Sequence, residues 1–482
     1  MTRPAGHLNR STSPYYRGVT QLADRIAEAR RQLHGHYGFQ DFRPLQRRVV
    51  QSVLAGRDAL AVLPTGGGKS ICFQVPALVL GGLTVVVSPL VALMQDQVEN
   101  LKRRGIAADT MNSLQSPEEQ AGIAERMSAG SLRLVYISPE RAPRLALELL
   151  RRGIRPALLA IDEAHCISEW GHDFRPSYRE LAVLRNELGR PPTVALTGSA
   201  TPTVRRDIIR SLGMARVDEH IGSFDRPNLR FGVEYLRGNA PRLEKVRGLL
   251  APRPGIAIVY VPTRNMADSV AQALWFSGHR AASYHAGLAR EQRSEVLRRF
   301  TAEELDVVVA TSAFGMGIDA PRVRLVIHWS MPPTPESYYQ EAGRAGRDGQ
   351  TSRCVLLFHP QDGALHQRQL EVTFPPRRQV EALWADPSLR PRYPAGVVAS
   401  ADRLRLELRP HAGPVDWSGV QRRREVAEAR IHVMEGYATR RACRRAALLG
   451  WFGEDVVACS GCDACTGRDK SARWWSLWSR PG

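Results

Sequence analysis

Lysine is nearly absent from this chain of 482 residues. Only four lysines occur, so 63 of the 67 basic residues are arginine (67 − 4). Acidic residues number 48, and the resulting formal net charge of +19 predicts a polyanionic partner such as nucleic acid. A skewed genome composition also accounts for part of an arginine bias, but it does not by itself produce an excess of bases over acids.

Long hydrophobic runs are also missing. No apolar stretch reaches about 18 residues, so we expect no membrane-spanning segment and no membrane partner. The basic N-terminal segment MTRPAGHLNRSTSPYYRG is not followed by an apolar stretch, so no secretory signal is expected. Together with the basic charge, these absences predict a cytoplasmic, nucleoid-associated protein, and the length predicts about three domains.

Short runs rich in Val, Ile and Leu recur along two stretches of the chain. Such runs without polar alternation predict strands buried on both faces of a parallel sheet, with helices between them. They lie at 58–64, 84–89, 133–139, 157–165 and 193–201, and again at 255–263, 281–287, 305–314, 324–332 and 354–360. A break near residue 220 separates the two sets. The predicted fold class is therefore α/β, with two parallel-sheet lobes in tandem.

A glycine-rich segment, LPTGGGKS, follows the first predicted strand and precedes a helix-like stretch. Glycines in such a loop let backbone amides turn towards phosphate oxygens, the lysine reaches the β- and γ-phosphates, and the next hydroxyl binds Mg²⁺. The predicted phosphate and Mg²⁺ ligands are Thr65, Gly66, Gly67, Gly68, Lys69 and Ser70. Leu63 stands where the full pattern has its first glycine. The alternative, a glycine-rich turn with a chance lysine, fits poorly in a chain that almost always uses arginine.

Two adjacent carboxylates, Asp162 and Glu163, end the fourth predicted strand in the segment IDEAH. Asp162 is predicted to hold Mg²⁺, and Glu163 to accept a proton from the attacking water. In the second lobe, QEAGRAGRDG presents Arg344 and Arg347 three residues apart, which on a helical turn places them on one face. We expect both arginines to meet the γ-phosphate across a cleft between the lobes, with Gln340 of the same segment in the catalytic set.

These segments resemble the motifs of the RecQ family of superfamily-2 DNA helicases over about residues 34–360. In the family's order they are FQDFRPLQ, PTGGGKS, SPLVALMQDQV, ISPER, DEAHCISEWGHDFRPSY, LTGSAT, YHAGL, ATSAFGMGIDAPRVR and YYQEAGRAGRDG. The resemblance implies two RecA-like lobes, ATP and Mg²⁺ as cofactors, and 3′ to 5′ unwinding of duplex DNA in recombination or repair. LTGSAT departs from the usual alanine-and-threonine pattern at Gly198 and Ser199, where we expect only a mild effect.

The resemblance also implies contacts to the nucleotide base. Phe39 is expected to stack on adenine, with Arg43 nearby and Gln46 hydrogen-bonded to the base edge, which favours ATP over other nucleotides. Asp319 is expected to sense closure around ATP. The alternative for the segment around Phe39 is a surface aromatic turn.

The segment SEWGHDFRPSY resembles the aromatic-rich loop that couples DNA binding to hydrolysis in the family. Trp170 and Phe174 are expected to stack on bases, and Arg175 to contact phosphate. His172 is expected to relay this contact towards the catalytic lobe. Burial in a core is the alternative for the aromatic residues, but glycine, aspartate and proline in the segment predict an irregular loop. Three hydroxyl residues elsewhere are expected to face DNA: Ser88, Thr311 and Ser312.

Four of the seven cysteines lie close together, as Cys443, Cys459, Cys462 and Cys465. Four thiolates grouped in this way are typical of a structural, tetrahedral Zn²⁺ site rather than of disulfides or free thiols. Their spacing and surroundings resemble the zinc-binding subdomain of RecQ proteins. We expect the first cysteine on a helix that begins near Arg440, and folding that is coupled to the metal.

The domain organisation follows from these segments. The predicted parts are a basic tail with a helix (1–33), lobe 1 (34–218), lobe 2 (219–362), an intervening helical or winged module (363–430), a small helical zinc-binding subdomain (431–468) and an aromatic tail (469–482). RecQ proteins often carry a winged-helix domain after the zinc module, and the 17 residues after Cys465 (482 − 465) do not hold one. We expect the intervening module to replace it in part, and a variable linker is the alternative.

The leading hypothesis is an ATP-dependent DNA helicase that acts as a monomer on single-stranded DNA and on tailed or forked duplexes. Single-stranded-DNA-binding and recombination proteins are its expected partners. An RNA helicase or a nucleic-acid translocase with the same engine is the rival enzyme. A non-catalytic zinc adaptor that binds nucleic acid is the alternative of another class, and the complete set of ATPase residues argues against it.

Overall fold

Two parallel β-sheets, one in each half of the chain, form the framework of the protein. The computed structural model describes residues 14–64, 66–112, 115–171, 173–315, 322–408, 415–456 and 458–466, with side chains from residue 21 onward. The chain divides between Ser223 and Phe224 into unit 1 and unit 2. The predicted site residues Thr65, His172 and Asp319, and the predicted tails at 1–13 and 469–482, lie outside the described residues.

The strands of unit 1 form one parallel sheet. They are β1 (Asp58–Val62), β2 (Thr84–Val87), β3 (Ala108–Met111), β4 (Leu134–Ile137), β5 (Leu158–Ile161), β6 (Thr193–Thr197) and β7 (Val217–Ile221), in the order β3-β4-β2-β5-β6-β1-β7. The five strands predicted for lobe 1 are confirmed. The sequence pattern does not predict β3 and β7, because they carry polar residues such as Asp109 and Asp218. The strand before Asp162 is therefore β5, the fifth along the chain, and its prediction as the fourth is wrong.

The helices of unit 1 pack around this sheet. Those described are α1 (Pro14–Tyr37), α2 (Pro44–Leu54), α3 (Ile71–Leu80), α4 (Val91–Arg103), α5 (Pro117–Ser128), α6 (Ala142–Arg151), α7 (Leu181–Glu187) and α8 (Pro202–Ser211), with 3₁₀ turns at Pro139–Arg141, Ala164–Ile167 and Pro176–Glu180. The helix predicted within residues 1–33, around Leu22–Leu33, is present as the longer α1. Its buried Ala29 and Leu33 share a hydrophobic cluster with Phe42, Val50 and Val75, so α1 belongs to the core of unit 1.

The strands of unit 2 form a second parallel sheet. They are β8 (Leu229–Tyr235), β9 (Ile256–Tyr260), β10 (Ala281–Tyr284), β11 (Val307–Ala310), β12 (Val323–His328) and β13 (Ser352–Phe358), in the order β10-β11-β9-β12-β13-β8. The five predicted strands of lobe 2 are confirmed, and β8 is an addition. The predicted α/β class with two parallel sheets is confirmed. The predicted boundary between 218 and 219 falls inside β7.

The helices of unit 2 include those of the intervening module. They are α9 (Asn239–Leu250), α10 (Arg264–Trp275), α11 (Arg290–Thr301), α12 (Pro335–Ala342), α13 (Gln361–Thr373), α14 (Arg377–Ala385), α15 (Ala395–Leu408), α16 (Ser418–Thr439), α17 (Arg444–Trp451) and α18 (Asp463–Thr466), with a 3₁₀ turn at Pro387–Arg392. Among these helices, none is both long and apolar enough to cross a bilayer, and the same holds for the helices described in unit 1.

The intervening module has a small hydrophobic core of its own. Val380 on α14, Leu404 on α15 and Val420 on α16 are buried together, and Trp384 stacks on Trp417 with ring centroids 5.6 Å apart. The sequence predicts helices at 374–384 and 397–410, and they are present as α14 and α15. It also predicts a strand or wing at 413–426, which is wrong from residue 418 onward, because that segment begins α16 and buries Val420 in the core of the module.

The zinc-binding segment is tied to the start of β8 by a buried arginine. The helix expected to begin near Arg440 begins instead at Arg444, with Cys443 as its N-terminal cap. Arg445 is 1% exposed, and its guanidinium donates to the Asp225 carboxylate and to the carbonyls of Arg226 and Leu229. A single side chain thus satisfies three acceptors at the entrance to the second sheet.

We expect Arg445→Met to destabilise the protein by about 3 kcal/mol, because it removes a buried guanidinium that bonds the Asp225 carboxylate and the carbonyls of Arg226 and Leu229. Urea unfolding measures this change, and Arg440→Met, an exposed arginine shortly before α17, is the matched control. A wild-type unfolding midpoint for Arg445→Met contradicts the anchoring role.

Candidate nucleotide, nucleic-acid and zinc sites

The predicted phosphate loop lies between β1 and α3. Gly66 and Gly68 have φ angles of 82° and 71°, in the left-handed region that favours glycine. A Cβ on Gly67 would lie 2.8 Å from the carbonyl oxygen of Pro64, and one on Gly68 would lie 2.4 Å from Nε2 of Gln46. The loop therefore accepts only glycine at these positions, which fits a backbone that is shaped to approach phosphate oxygens.

The residues predicted to contact adenine surround this loop. Nε2 of Gln46 donates to the carbonyls of Gly67 (3.0 Å) and Gly68 (3.2 Å), and its Oε1 accepts the backbone N–H of Arg43 (2.9 Å). Nη1 of Arg43 donates to the carbonyl of Gly66 at 2.6 Å. Phe39 is 54% exposed, so its ring is accessible. The structure thus gives Gln46 a bracing role on the phosphate loop that the sequence did not predict.

Lys69 and Glu163 meet in unit 1. Nζ of Lys69 donates to Oε1 of Glu163 at 2.8 Å, and both side chains are largely buried. Burial on its own raises the pKa of Glu163, but Lys69 and His165 reverse this effect and hold the pKa well below its usual range. Burial and the neighbouring charge of Glu163 raise the pKa of Asp162. The predicted lysine and carboxylates therefore form one electrostatic unit, with Ser70 at the start of α3 beside them.

A histidine links this unit to the end of β6. Nδ1 of His165 lies 3.0 Å from Oγ1 of Thr197 and 3.3 Å from Oε2 of Glu163. Thr197 Oγ1 also accepts the backbone N–H of Ser199 at 3.2 Å. A Cβ on Gly198 would lie 3.3 Å from Nζ of Lys69, so glycine there leaves room beside the ammonium. The sequence motifs do not single out His165 or Thr197 as site residues, although both lie inside the segments DEAHCISEWGHDFRPSY and LTGSAT.

The predicted arginine fingers lie in unit 2, after α12. The segment from Gly343 to Asp348 forms turns and not a helix, so the predicted helical face is wrong; the flanking glycines end α12 early. Arg344 is 8% exposed, and a Cβ on Gly315 would lie 3.3 Å from its Nη2. Arg347 is half-buried, as is Gln340 near the end of α12.

The aromatic-rich loop of unit 1 is irregular, as predicted. A Cβ on Gly171 would lie 2.3 Å from the carbonyl oxygen of His165, so only glycine fits the turn. Trp170 is 39% exposed, whereas Phe174 is half-buried beneath the guanidinium of Arg179 at 5.2 Å. Arg175 donates to the carbonyl of Pro89 at 2.8 Å and pairs with Asp173. The loop is thereby joined to the turn that follows β2.

The three predicted hydroxyl contacts differ in exposure. Ser88 is 1% exposed, so the prediction that its hydroxyl faces DNA is not met in this structure, because the residue completes the buried end of β2. Thr311 and Ser312 follow β11 in unit 2 and line a cavity of about 240 Å³. Tyr260, at the end of β9, lines the same cavity and donates its hydroxyl to the carbonyl of Phe314 at 2.8 Å.

The four clustered cysteines converge. Their Sγ atoms all lie within 4.8 Å of one another, and those of Cys443 and Cys462 are 4.0 Å apart. Four thiolates around one Zn²⁺ at about 2.3 Å leave sulfur atoms about 3.8 Å apart, so the donor set fits tetrahedral zinc. Burial and the neighbouring thiols raise the pKa of Cys465, as expected of grouped thiols that require a cation to ionise. Cys462 also bridges to Phe231 on β8.

Comparison with protein-family models matches three parts of the chain. The model described as DEAD/DEAH box helicase matches residues 43–208, the Helicase conserved C-terminal domain matches 241–349, and the RecQ zinc-binding model matches 409–466. Their order is that of the phosphate loop, the arginine segment and the cysteine cluster.

Known proteins agree with these matches. The chain is 38% identical over 436 residues to the ATP-dependent DNA helicase RecQ of Pasteurella multocida (strain Pm70), covering 90% of this chain and 61%, about three fifths, of that protein. It is 40% identical over 344 residues to the probable ATP-dependent DNA helicase RecS of Bacillus subtilis (strain 168), covering 70% and 68%. A crystal structure of the DUF1998 helicase MrfA bound to DNA and AMPPNP has a TM-score of 0.58 at 20% identity, covering 72% of this chain and 52% of that one, which supports the fold alone. The chain belongs to the RecQ family of ATP-dependent DNA helicases.

Proposed function

We propose that this protein is an ATP-dependent motor that unwinds duplex DNA in the 3′ to 5′ direction during recombination or repair. The observation that carries the proposal is the buried contact of Lys69 with Glu163, which joins the phosphate loop to the carboxylates. Relatives named ATP-dependent DNA helicases support DNA as the track. The direction of unwinding rests on the family resemblance.

The residues of unit 1 suit ATP with Mg²⁺. Ser70 and Asp162 are the proposed Mg²⁺ ligands, and the ion that they would hold would neutralise charge on the phosphates. Lys69 exchanges the carboxylate of Glu163 for the more highly charged β- and γ-phosphates. Losing its lysine partner raises the pKa of Glu163 towards the ordinary range, which makes this carboxylate a better acceptor for the proton of the attacking water. Nucleotide binding would thus activate Glu163 as the general base.

The arginines of unit 2 are the proposed counter-charges for the γ-phosphate. Nε of Arg344 is buried and has no hydrogen-bond partner among the described residues. Arg347 and Gln340 complete the proposed catalytic set. At the base end, Phe39 is proposed to stack on adenine with Arg43 and Gln46 beside it, and Asp319 is proposed to sense closure around ATP.

The proposed DNA path uses both units. In unit 1, Trp170 is exposed enough to stack on a base, and Arg175 connects the loop to the turn after β2, so strand binding would shift both together. In unit 2, Thr311 and Ser312 are proposed to contact the strand. An RNA helicase with the same ATPase residues is the rival function. Stimulation of ATP turnover by single-stranded DNA or by RNA distinguishes a DNA helicase from an RNA helicase. A non-catalytic adaptor would show no turnover.

The remaining parts support the motor. Zinc at the cysteine cluster is proposed to be structural, because four sulfur ligands leave no open position for chemistry. The module of α14 and α15 with the start of α16 is proposed to replace part of a winged-helix domain in duplex binding. We also propose that the protein acts as a monomer at the nucleoid, with single-stranded-DNA-binding and recombination proteins as partners.

Glu163→Gln is expected to retain ATP binding and to lower DNA-stimulated turnover by at least about 100-fold, because an amide cannot accept the proton. Phosphate release is measured with no nucleic acid, with single-stranded DNA and with RNA, and binding is measured with a fluorescent ATP analogue. Glu187→Gln, an exposed glutamate at the end of α7, is the control. Near-normal hydrolysis refutes the assigned base, and a wild-type protein that responds to neither nucleic acid refutes the motor.

Cys459→Ser is expected to lose the bound zinc and to lower the unfolding temperature, since the metal organises the loop against β8. Metal analysis and thermal unfolding measure both effects. Cys354→Ala changes a buried cysteine outside the cluster and should keep one zinc per chain. Full zinc content in Cys459→Ser contradicts the four-thiolate site.

Replacing residues 375–416 by a short glycine-serine linker is expected to weaken binding to tailed duplexes by at least about tenfold, because the module's basic contacts to phosphate are lost. ATP turnover with single-stranded DNA should persist, which also shows that the variant is folded. Duplex binding and unwinding at wild-type levels would identify the segment as a linker.

A further inference from the structure

A cavity of about 590 Å³ lies at one edge of the second sheet, outside the proposed ATPase and DNA contacts. It opens where β8 ends at Tyr235 and β13 ends at Phe358. These strands are parallel neighbours, so their carboxyl ends face the same side. In open α/β sheets, ligands bind outside the carboxyl ends of the strands, which makes the cavity a candidate binding site.

The start of α9 gives this cavity a positive edge. The first amides of a helix lack partners within the helix and carry the positive end of its dipole. The preceding Gly238 has no side-chain acceptor to cap them, and the first turn contains no acidic residue. Asn239 and Gly238 both line the cavity. An anionic group of a ligand would therefore meet backbone donors here.

Two arginines add cationic groups to the wall. Arg237 is exposed, whereas Arg242 is 7% exposed and donates through Nη2 to both oxygens of Asp362 (2.9 and 3.1 Å). The buried Nε of Arg242 has no hydrogen-bond partner within the described part of the chain. Asp362 also accepts the N–H groups of Met331 and His359, both at 3.1 Å, so its charge is satisfied. The cavity keeps an excess of positive charge.

An exposed aromatic ring completes the site. Tyr235 is 56% exposed at the end of β8, the edge strand of the second sheet. Its ring packs edge-on against Phe358 at 5.8 Å and beside His359 at 6.5 Å, which fixes its position. The exposed ring of Tyr235 can stack on a nucleotide base while the nearby cationic groups contact the phosphate of the same nucleotide.

The cavity also continues the edge on which the predicted DNA contacts lie. The cavity that Thr311 and Ser312 line reaches Met331, which follows β12, and His366 on α13. Met331 donates its N–H to Asp362, which lines the cavity beside Tyr235. The two cavities are therefore neighbours along one edge of the sheet, joined by the contact of Met331 with Asp362.

We propose that this cavity binds one nucleotide unit of single-stranded DNA, with the phosphate at the start of α9 beside Arg237 and the base on Tyr235. The site extends the proposed path of the DNA strand along unit 2 beyond Thr311 and Ser312. This inference rests on the proposed function, since it assumes that DNA is the track.

Tyr235→Leu and Arg237→Ala in the full chain test the site, with fluorescent oligothymidylates of about 4 to about 20 nucleotides. We expect Tyr235→Leu to weaken binding at least about fivefold for the long oligonucleotides, and to leave the shortest unchanged because they do not reach the cavity. Arg237→Ala should reduce the salt slope by about one. Phe276→Leu, an 80% exposed ring after α10, and Arg253→Ala, beyond the other end of α9, are matched controls that should bind as wild type.

DNA-stimulated ATP turnover is measured on the same preparations, so that the two proposals fail separately. If DNA stimulates ATP turnover but both variants keep the wild-type DNA affinity and salt slope, the cavity is not a DNA site and the proposed function stands. Equal weakening at all lengths also overturns the site, because the damage would then lie in the main path. Binding of free AMP and of inorganic phosphate is measured as well. If either binds tightly to the wild type but not to the variants, while oligonucleotides bind equally to all, the cavity is not a DNA site. A wild-type protein that neither binds nor responds to DNA overturns the proposed function.

Discussion

The ammonium of Lys69 and the carboxylate of Glu163 share one buried site, and the sheet of unit 1 determines how they meet. Lys69 follows β1 and Glu163 follows β5, with β6 between those two strands. The end of β6 supplies Thr197, which contacts His165, which in turn contacts Glu163. Because buried charges are tolerated only when they are paired, any phosphate that takes the lysine must rearrange the partners of the carboxylate. These contacts would connect occupancy of the phosphate loop to the ends of three strands, β1, β5 and β6.

The same logic extends to the nucleic-acid surfaces. A few residues after His165 the chain exposes Trp170 and turns tightly at Gly171, while Arg175 joins the loop to the segment after β2. The carboxylate that binds lysine and the ring proposed to bind a base are thus only a few residues apart. In unit 2 the two cavities proposed to bind single-stranded DNA lie at the carboxyl ends of the β-strands. The zinc cluster and the buried Arg445 hold β8, the outermost of these strands, in place.

The parts of the site that are close together in the sequence could be predicted from it. The phosphate loop, the two carboxylates and the four cysteines are short patterns, and the structure brings each group together. Contacts between distant segments were not predictable in this way, and they include the link from His165 to Thr197 and the bracing of the loop by Gln46. Ser88 was misjudged because burial depends on the whole sheet. The turn at Arg344 was misjudged because two glycines outweigh the preceding helical pattern. The cavity at Tyr235 requires β8, which the sequence pattern did not reveal.

Strand separation with ATP and Mg²⁺ on duplexes that carry a 3′ tail, a 5′ tail or no tail tests whether Lys69 and the carboxylates of unit 1 drive directional unwinding. A motor that moves 3′ to 5′ separates the 3′-tailed duplex only when ATP is present, and it separates little of the 5′-tailed or blunt duplex. Equal separation of all three, separation without ATP, or a preference for the 5′ tail would rule out such a motor.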